Sequence, residues 1–152
     1  PRGRTFNQNL AKSFLKHDGI SLVCGRYEGV DERVIKFWNM DEISMGDYVM
    51  SGGEPAAIAL VDSIIRLLPG ALGSSQSLSN ESFENGLLEY PLYTKPYDWN
   101  GLKVPDVLRS GNHKEIDSWK QFESEKITKS RRPDLWNASL NKVECKEDHN
   151  NG

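Results

Sequence analysis

Two glycine-rich stretches lie close together in the first third of the chain, and they constrain its fold more than any other feature. The first reads GRYEG at residues 25–29, and the second reads MGDYVMSGG at residues 45–53. Each follows or contains an apolar run that is typical of a β-strand. Glycine lets the main chain turn with positive φ and lets a ligand approach bare backbone. Two such loops at strand ends therefore predict a pocket for a flat ligand.

The segments around these loops have the pattern of a βα repeat. Residues 19–24 form a short apolar run, which predicts a strand buried on both faces of a parallel sheet. Asp31 is expected to cap a helix over residues 32–38, and Asn39 is expected to end it. A second strand is predicted at residues 47–50, and it runs directly into the end of the second loop.

A second helix is predicted immediately after the second loop. Its apolar residues recur at three- and four-residue spacing, Pro55 suits its first turn, and Pro69 marks its end. The positive end of this helix would point back at the proposed pocket.

The rest of the chain indicates a second domain. Residues 1–72 are assigned to the α/β domain, residues 73–86 to a mobile polar linker, residues 87–148 to a small helical domain and residues 149–152 to a tail. His113 is interpreted as a residue at the start of a helix rather than as a catalytic group.

Composition indicates a soluble globular protein. The chain has 152 residues, 37% of them hydrophobic. It contains no run near the roughly 20 apolar residues that a membrane span needs, and a cytoplasmic location is expected. The two cysteines, Cys24 and Cys145, fit no metal-ligand spacing, so no metal site is predicted.

The charge distribution is weak evidence for a nucleic-acid partner. The formal net charge is −3, but nine basic and six acidic residues between Lys95 and Arg132 give that segment a local net charge of +3. A solvated helix face explains such a small excess equally well, so both interpretations stay open.

Several motifs together resemble one enzyme family. GRYEGVDERVI from Gly25, GDYV from Gly46 and SGGE from Ser51 are followed in order by SGNH from Ser110 and RRP from Arg131. This order resembles the bacterial tRNA (guanine-N1-)-methyltransferases, which modify the guanosine immediately 3′ of the anticodon. The resemblance extends over nearly the whole chain.

The resemblance implies the SPOUT class of fold. That class has an α/β domain whose parallel sheet contains a deep trefoil knot, followed here by a small helical C-terminal domain, and it forms a homodimer. Its cofactor is S-adenosylmethionine, bound in a bent shape by the knotted loops. Matched by motif, the cofactor contacts are Pro1, Gly25, Tyr27, Glu28, Met45, Gly46, Asp47, Tyr48, Val49, Met50, Gly52 and Gly53.

The resemblance also implies the catalytic residues. Glu81 is matched to the general base that removes the N1 proton of guanine, at a position where the family usually has aspartate. Arg66 is expected to steady the guanine or the base carboxylate from the partner subunit, and Glu28 to contact the methionine portion or the guanine. The helical domain is expected to contact tRNA, with Arg131 and Arg132 as the best candidates.

The family has a further N-terminal segment, so this polypeptide alone is expected not to form the complete fold. Two alternatives stay open at the sequence level: a noncatalytic or truncated RNA-binding relative, and a knotted methyltransferase acting on another RNA position. A nucleotide-phosphate enzyme is disfavoured, because the chain has neither a Gly-x-Gly-x-x-Gly motif nor a phosphate loop ending in Lys-Ser/Thr.

Overall fold

The computed structural model describes residues 1–71 and 81–147, with side chains described as far as residue 141. The chain divides into two compact units, Pro1–Ser75 and Gln76–Gly152, and each is described by itself. Most of the predicted linker, at residues 73–80, and the predicted tail at residues 149–152 lie outside the described residues.

The first unit combines three helices with a short parallel strand pair. Its elements are β1 (Arg4–Thr5), α1 (Gln8–Phe14), α2 (Glu32–Phe37), β2 (Ile43–Ser44) and α3 (Glu54–Ile65). The register places Arg4 opposite Ile43 and Thr5 opposite Ser44. A Cβ atom at Gly3 would lie 2.3 Å from backbone atoms of Glu42. Only glycine therefore lets the two segments approach this closely.

Both strands predicted from the sequence are wrong. Residues 19–24 and residues 47–50 carry no strand ladder in the structure, and the parallel pair forms at β1 and β2 instead. A strand needs a neighbour for its backbone groups, and β1 pairs with β2. The apolar run is exposed, with Val23 62% accessible. The second run fails because Gly46, at φ 146°, turns the chain after β2.

The two helices predicted in this unit are present, although α3 ends at Ile65, before the predicted end at Pro69. The Asp31 carboxylate caps α2 by accepting the Arg33 backbone N–H at 2.8 Å, and Asn39 leaves the helix in the left-handed region at φ 48°. Helix α3 carries a proline in its first turn. Its buried Leu60 and Ile64 form the core of the unit together with Ala11 of α1.

The sequence interpretation did not include α1. Asn7 caps it by accepting the Leu10 N–H at 3.0 Å. An N-cap residue followed by apolar residues at helical spacing is the signal that predicts such a helix.

The second unit is mainly helical. It contains the hairpin strands β3 (Asp98–Trp99) and β4 (Leu102–Lys103), a 3-10 turn at Asp106–Arg109, α4 (His113–Arg131) and α5 (Pro133–Glu147). Helix α4 begins at His113, which confirms the helix-start interpretation. The hairpin turns through Asn100 and Gly101, both with positive φ, the conformation that tight hairpin turns require.

A buried threonine ties the start of the second unit to α4. Thr128 is fully buried. Its Oγ1 accepts the Leu88 backbone N–H at 2.8 Å and donates to the Ser124 carbonyl at 2.7 Å. The backbone at Leu88, seven residues after Glu81, is thereby fixed to α4.

At a coarse level, helices around a small parallel sheet followed by a helical unit agree with the predicted α/β class. Among the described residues, every helix is too short or too polar to cross a membrane.

Candidate functional site

The structure brings the two glycine loops together. The Gly53 N–H donates to the Gly25 carbonyl at 3.2 Å, and Arg26 and Gly52 form an isolated antiparallel β-bridge. Loops 28 residues apart in sequence thus share one backbone junction at the start of α3.

A side chain at Gly53 would crowd this junction. A Cβ atom there would lie 3.0 Å from the Cα and 3.2 Å from the Cβ of Cys24. The nearest atom, the Cα of Cys24, belongs to the backbone, so it can move away from a Cβ at Gly53 only if the two loops separate. Glycine at position 53 therefore serves the close approach of two backbones and is not needed for a positive φ.

The tip of the first loop projects into solvent. Tyr27 adopts φ 56° and is fully exposed, and Gly29 adopts φ 102°. The Gly29 N–H closes the turn on the Arg26 carbonyl at 3.1 Å. Glu28, the second tip residue, is also exposed. Tyr27 and Glu28 are therefore accessible to a ligand seated against the loop.

The second loop is anchored at its start and exposed beyond it. The buried Ser44 hydroxyl bonds to both the N–H and the carbonyl of Gly46, each at 3.2 Å. A Cβ atom at Gly46 would lie 2.8 Å from the Tyr48 ring. The loop then presents bare backbone beside exposed side chains, which are those of Asp47, Tyr48, Val49 and Met50. Met45 is half-buried.

The N-terminus of α3 is occupied by its own side chain. The Glu54 carboxylate pairs with Arg26 at 2.8 Å. Its own backbone amide and then Arg26 lower the pKa of Glu54 below its ordinary value. Negative charge at this position also complements the helix dipole.

Pro1 lies apart from the other predicted cofactor contacts. It precedes β1, whereas Met45 and Gly46 follow β2, and the two strands run parallel. The register therefore places Pro1 and Gly46 toward opposite ends of the pair. The motif match for Pro1 stays a prediction that rests on the resemblance.

Arg66 is far from the glycine loops of its own chain. It caps the C-terminal end of α3, where its backbone N–H donates a hydrogen bond to the Asp62 carbonyl at 3.2 Å. Thirteen residues separate it from Gly53, which corresponds to about 20 Å along a helix axis. The two ends of α3 thus belong to different places on the surface of this unit.

Glu81 belongs to the second unit. It is half-buried, and its carbonyl accepts the Glu84 N–H at 3.4 Å. Phe83, at φ 77°, turns the chain, and the next residues are tied to α4 through Thr128. The residue matched to the general base therefore sits at the start of an anchored turn.

Comparison with known proteins identifies the family. The family model described as tRNA (Guanine-1)-methyltransferase TrmD matches residues 1–138. The chain belongs to this family.

Individual relatives agree with that assignment. A protein of Ruegeria sp. (strain TM1040) named tRNA (guanine-N(1)-)-methyltransferase is 55% identical over 138 residues, which cover 91% of this chain and 57% of the relative. Relatives of the same name from Rhodospirillum rubrum and Brucella ovis are 55% and 53% identical over 136 and 138 residues. The chain spans about 57% of the length of these relatives.

S-adenosylmethionine carries no phosphate, and the loops of this family member suit such a cofactor better than a phosphate-bearing one. Backbone beside the exposed side chains of Tyr48, Val49 and Met50 is accessible to a ligand. At α3, the helix end that would hold a phosphate carries the Glu54 carboxylate instead.

The two arginines predicted to contact tRNA differ in their surroundings. Arg131 is exposed at the end of α4. Arg132 is held by Asp134, with two hydrogen bonds of 2.8 and 2.6 Å, so it would have to exchange a carboxylate for a phosphate. The sequence did not predict the packing of Arg109 on Tyr97, where the guanidinium lies 4.0 Å from the centre of the ring. An arginine twelve residues after a tyrosine gives no local sequence signal for such a contact.

Proposed function

We propose that this chain carries the methyl-donor site of an enzyme that transfers a methyl group from S-adenosylmethionine to N1 of the guanosine 3′ of the anticodon in tRNA, position 37. The observation that carries the proposal is the junction of the two glycine loops, in a chain of this family. The two loops that meet there carry the exposed side chains of Tyr27, Glu28 and Tyr48.

The chemistry requires a base and a fixed approach. Bound S-adenosylmethionine supplies an electrophilic methyl group on a positively charged sulfur. Glu81 would accept the N1 proton of guanine as N1 takes the methyl group. Glu28 would contact the methionine portion of the donor or the guanine, and Arg66 would steady the guanine or the Glu81 carboxylate from the partner subunit.

The position of Arg66 supports a homodimer. An arginine side chain cannot cover the roughly 20 Å that separate the two ends of α3, so Arg66 reaches a donor only in a site that a second copy helps to form. The first unit also exposes large apolar side chains, which are Ile58 (71%), Ile65 (51%), Val23 (62%) and Leu68 (45%). Exposed apolar surface of this kind is typical of protein interfaces.

The proposal also includes three further features, which are the trefoil knot of the family, a cytoplasmic location and tRNA contact through the second unit. The basic excess between Lys95 and Arg132 supports the tRNA contact, because lysine and arginine orient tRNA by binding phosphates.

A methyl-transfer assay tests the reaction. Protein carrying this chain is incubated with labelled S-adenosylmethionine and with tRNA transcripts that have guanosine or adenosine at position 37, and 1-methylguanosine is measured by mass spectrometry. We expect product only with guanosine. Label at another nucleotide would indicate a different RNA position, and binding of tRNA without transfer would indicate a noncatalytic relative.

The role of Glu81 is tested by substitution. Glu81→Gln keeps the size of the side chain but removes the base, so transfer should be lost while donor affinity is unchanged. Glu81→Asp, which restores the usual family residue, shortens the reach by about 1.5 Å and should remain active. Unchanged turnover in Glu81→Gln would assign the base elsewhere.

Mixed dimers test the role of Arg66. Arg66→Ala and Gly53→Ala should each abolish or weaken transfer alone. Co-expressed in equal amounts, they should recover about a quarter of the wild-type sites, because half the dimers are mixed and each mixed dimer has one undamaged site. Failure to recover any activity beyond the two single variants would contradict a site shared between copies.

A further inference from the structure

An ion pair crosses the junction of the two glycine loops. The Arg26 Nε and Nη2 atoms both lie 2.8 Å from Oε1 of Glu54. Arg26 belongs to the first loop, and Glu54 is the first residue of α3, directly after the second loop. The pair therefore ties the first loop to the end of a twelve-residue helix.

The ion pair extends the backbone contact between the loops. The Arg26 backbone is bridged to Gly52, and the Gly53 N–H is bonded to the Gly25 carbonyl. An isolated bridge and one 3.2 Å hydrogen bond form a short junction that lacks the support of a full ladder. A side-chain pair attached to both sides of it can limit how far the loops separate.

We propose that Arg26 and Glu54 are positioning residues that hold the two glycine loops at the spacing required for the methyl donor. This inference rests on the proposed function of the loops. Neither side chain needs to touch the donor: the pair acts through the backbone at Gly25, Gly52 and Gly53.

The expected effect is small and sensitive to salt. The side chains are 64% and 44% exposed, and exposed pairs of this kind change an equilibrium by about 1.5- to 5-fold. Salt screens them, since the Debye length falls from about 10 Å at 0.1 M to about 3 Å at 1 M. Arg26→Gln and Glu54→Gln should each raise the dissociation constant of S-adenosylmethionine within that range.

A double-mutant cycle separates this role from direct ligand contact. Calorimetric titration with S-adenosylmethionine is performed on wild type, both single variants and the double variant at low and high salt. If the residues act as a pair, the double variant binds no more weakly than either single variant. The salt dependence of donor affinity that the pair causes should also disappear once either partner is removed, and kcat at saturating donor should be unchanged.

Lys36→Gln is the matched control. Lys36 pairs with Glu32 at 3.5 Å inside α2, so its loss removes an exposed ion pair without touching the junction. It should leave donor affinity unaltered. Additive effects of Arg26→Gln and Glu54→Gln, an equal effect of Lys36→Gln, or a fall in kcat with unchanged KM would overturn the proposal.

Hydrogen exchange distinguishes failure of the positioning role from failure of the proposed function. The Gly53 amide, bonded to Gly25 across the junction, should exchange faster in Arg26→Gln than in wild type or Lys36→Gln. This measurement needs neither donor nor tRNA. If wild type binds no donor, the proposed function fails, and unchanged exchange at Gly53 in Arg26→Gln refutes the positioning role independently.

Discussion

Adding one methyl group at Gly53 should weaken donor binding by forcing the two loops apart. In Gly53→Ala, the new Cβ would stand 3.0 Å from the Cα of Cys24 and 3.4 Å from the N of Gly25. Alanine tolerates the local backbone, since φ is −84° at this residue. The penalty is therefore steric and falls on the contact with the first loop. Forcing an extra methyl group into a packed site costs about 1–3 kcal/mol.

If this steric penalty reduces the free energy of donor binding in full, the dissociation constant of S-adenosylmethionine rises by about 5- to 150-fold. Isothermal titration calorimetry measures the change directly. Gly19→Ala is the control, because a Cβ atom there meets nothing within 4 Å. Both variants must show wild-type circular dichroism. Equal donor affinity in Gly53→Ala and wild type would refute the argument that this junction sets the binding site.

Two further predictions concern stability. Thr128→Val should lower the free energy of unfolding of the second unit by about 1–3 kcal/mol, because the Leu88 N–H loses its acceptor. Urea unfolding measures this change, with Thr128→Ser as the milder control. An unchanged unfolding midpoint in Thr128→Val would contradict the anchoring role. Acid should destabilise the first unit, because two carboxylates have folded-state pKa values below their ordinary ones. Arg33 lowers the pKa of Asp31 below 3.8. The backbone amide of Glu54 and Arg26 lower the pKa of Glu54 below 4.5. Their stabilisation is fully present above those ordinary values and is lost as pH falls through the lower folded-state values. Thermal unfolding between pH 3 and pH 7 should show this loss, and a pH dependence undiminished in Asp31→Asn with Glu54→Gln would refute its cause.

Local chemistry made part of the fold predictable from the sequence. Asp31 as a cap, the proline in the first turn of α3 and the start of α4 at His113 each depend on residues within one turn of the helix end. These features are read correctly because their energies do not depend on distant parts of the chain.

The strands could not be predicted in the same way. The apolar residues at 20–24 satisfy the pattern of a buried strand, yet a pattern does not supply a neighbour for the backbone, and Val23 stays exposed. Arg4–Thr5, by contrast, carries no apolar pattern and pairs with Ile43–Ser44 because Gly3 allows the approach. Pairing between segments almost forty residues apart is a tertiary property that local propensity cannot reveal.

The candidate site shows the same contrast between local backbone requirements and long-range pairing. The convergence of the two loops follows from glycine at positions where backbones touch, as at Gly53, or turn with positive φ, as at Gly29 and Gly46. The Arg26–Glu54 pair joins residues 28 positions apart, and nothing in the sequence marks either side chain as the partner of the other. Backbone requirements therefore predicted that the two loops meet, while the charged pair that crosses their junction is visible only in three dimensions.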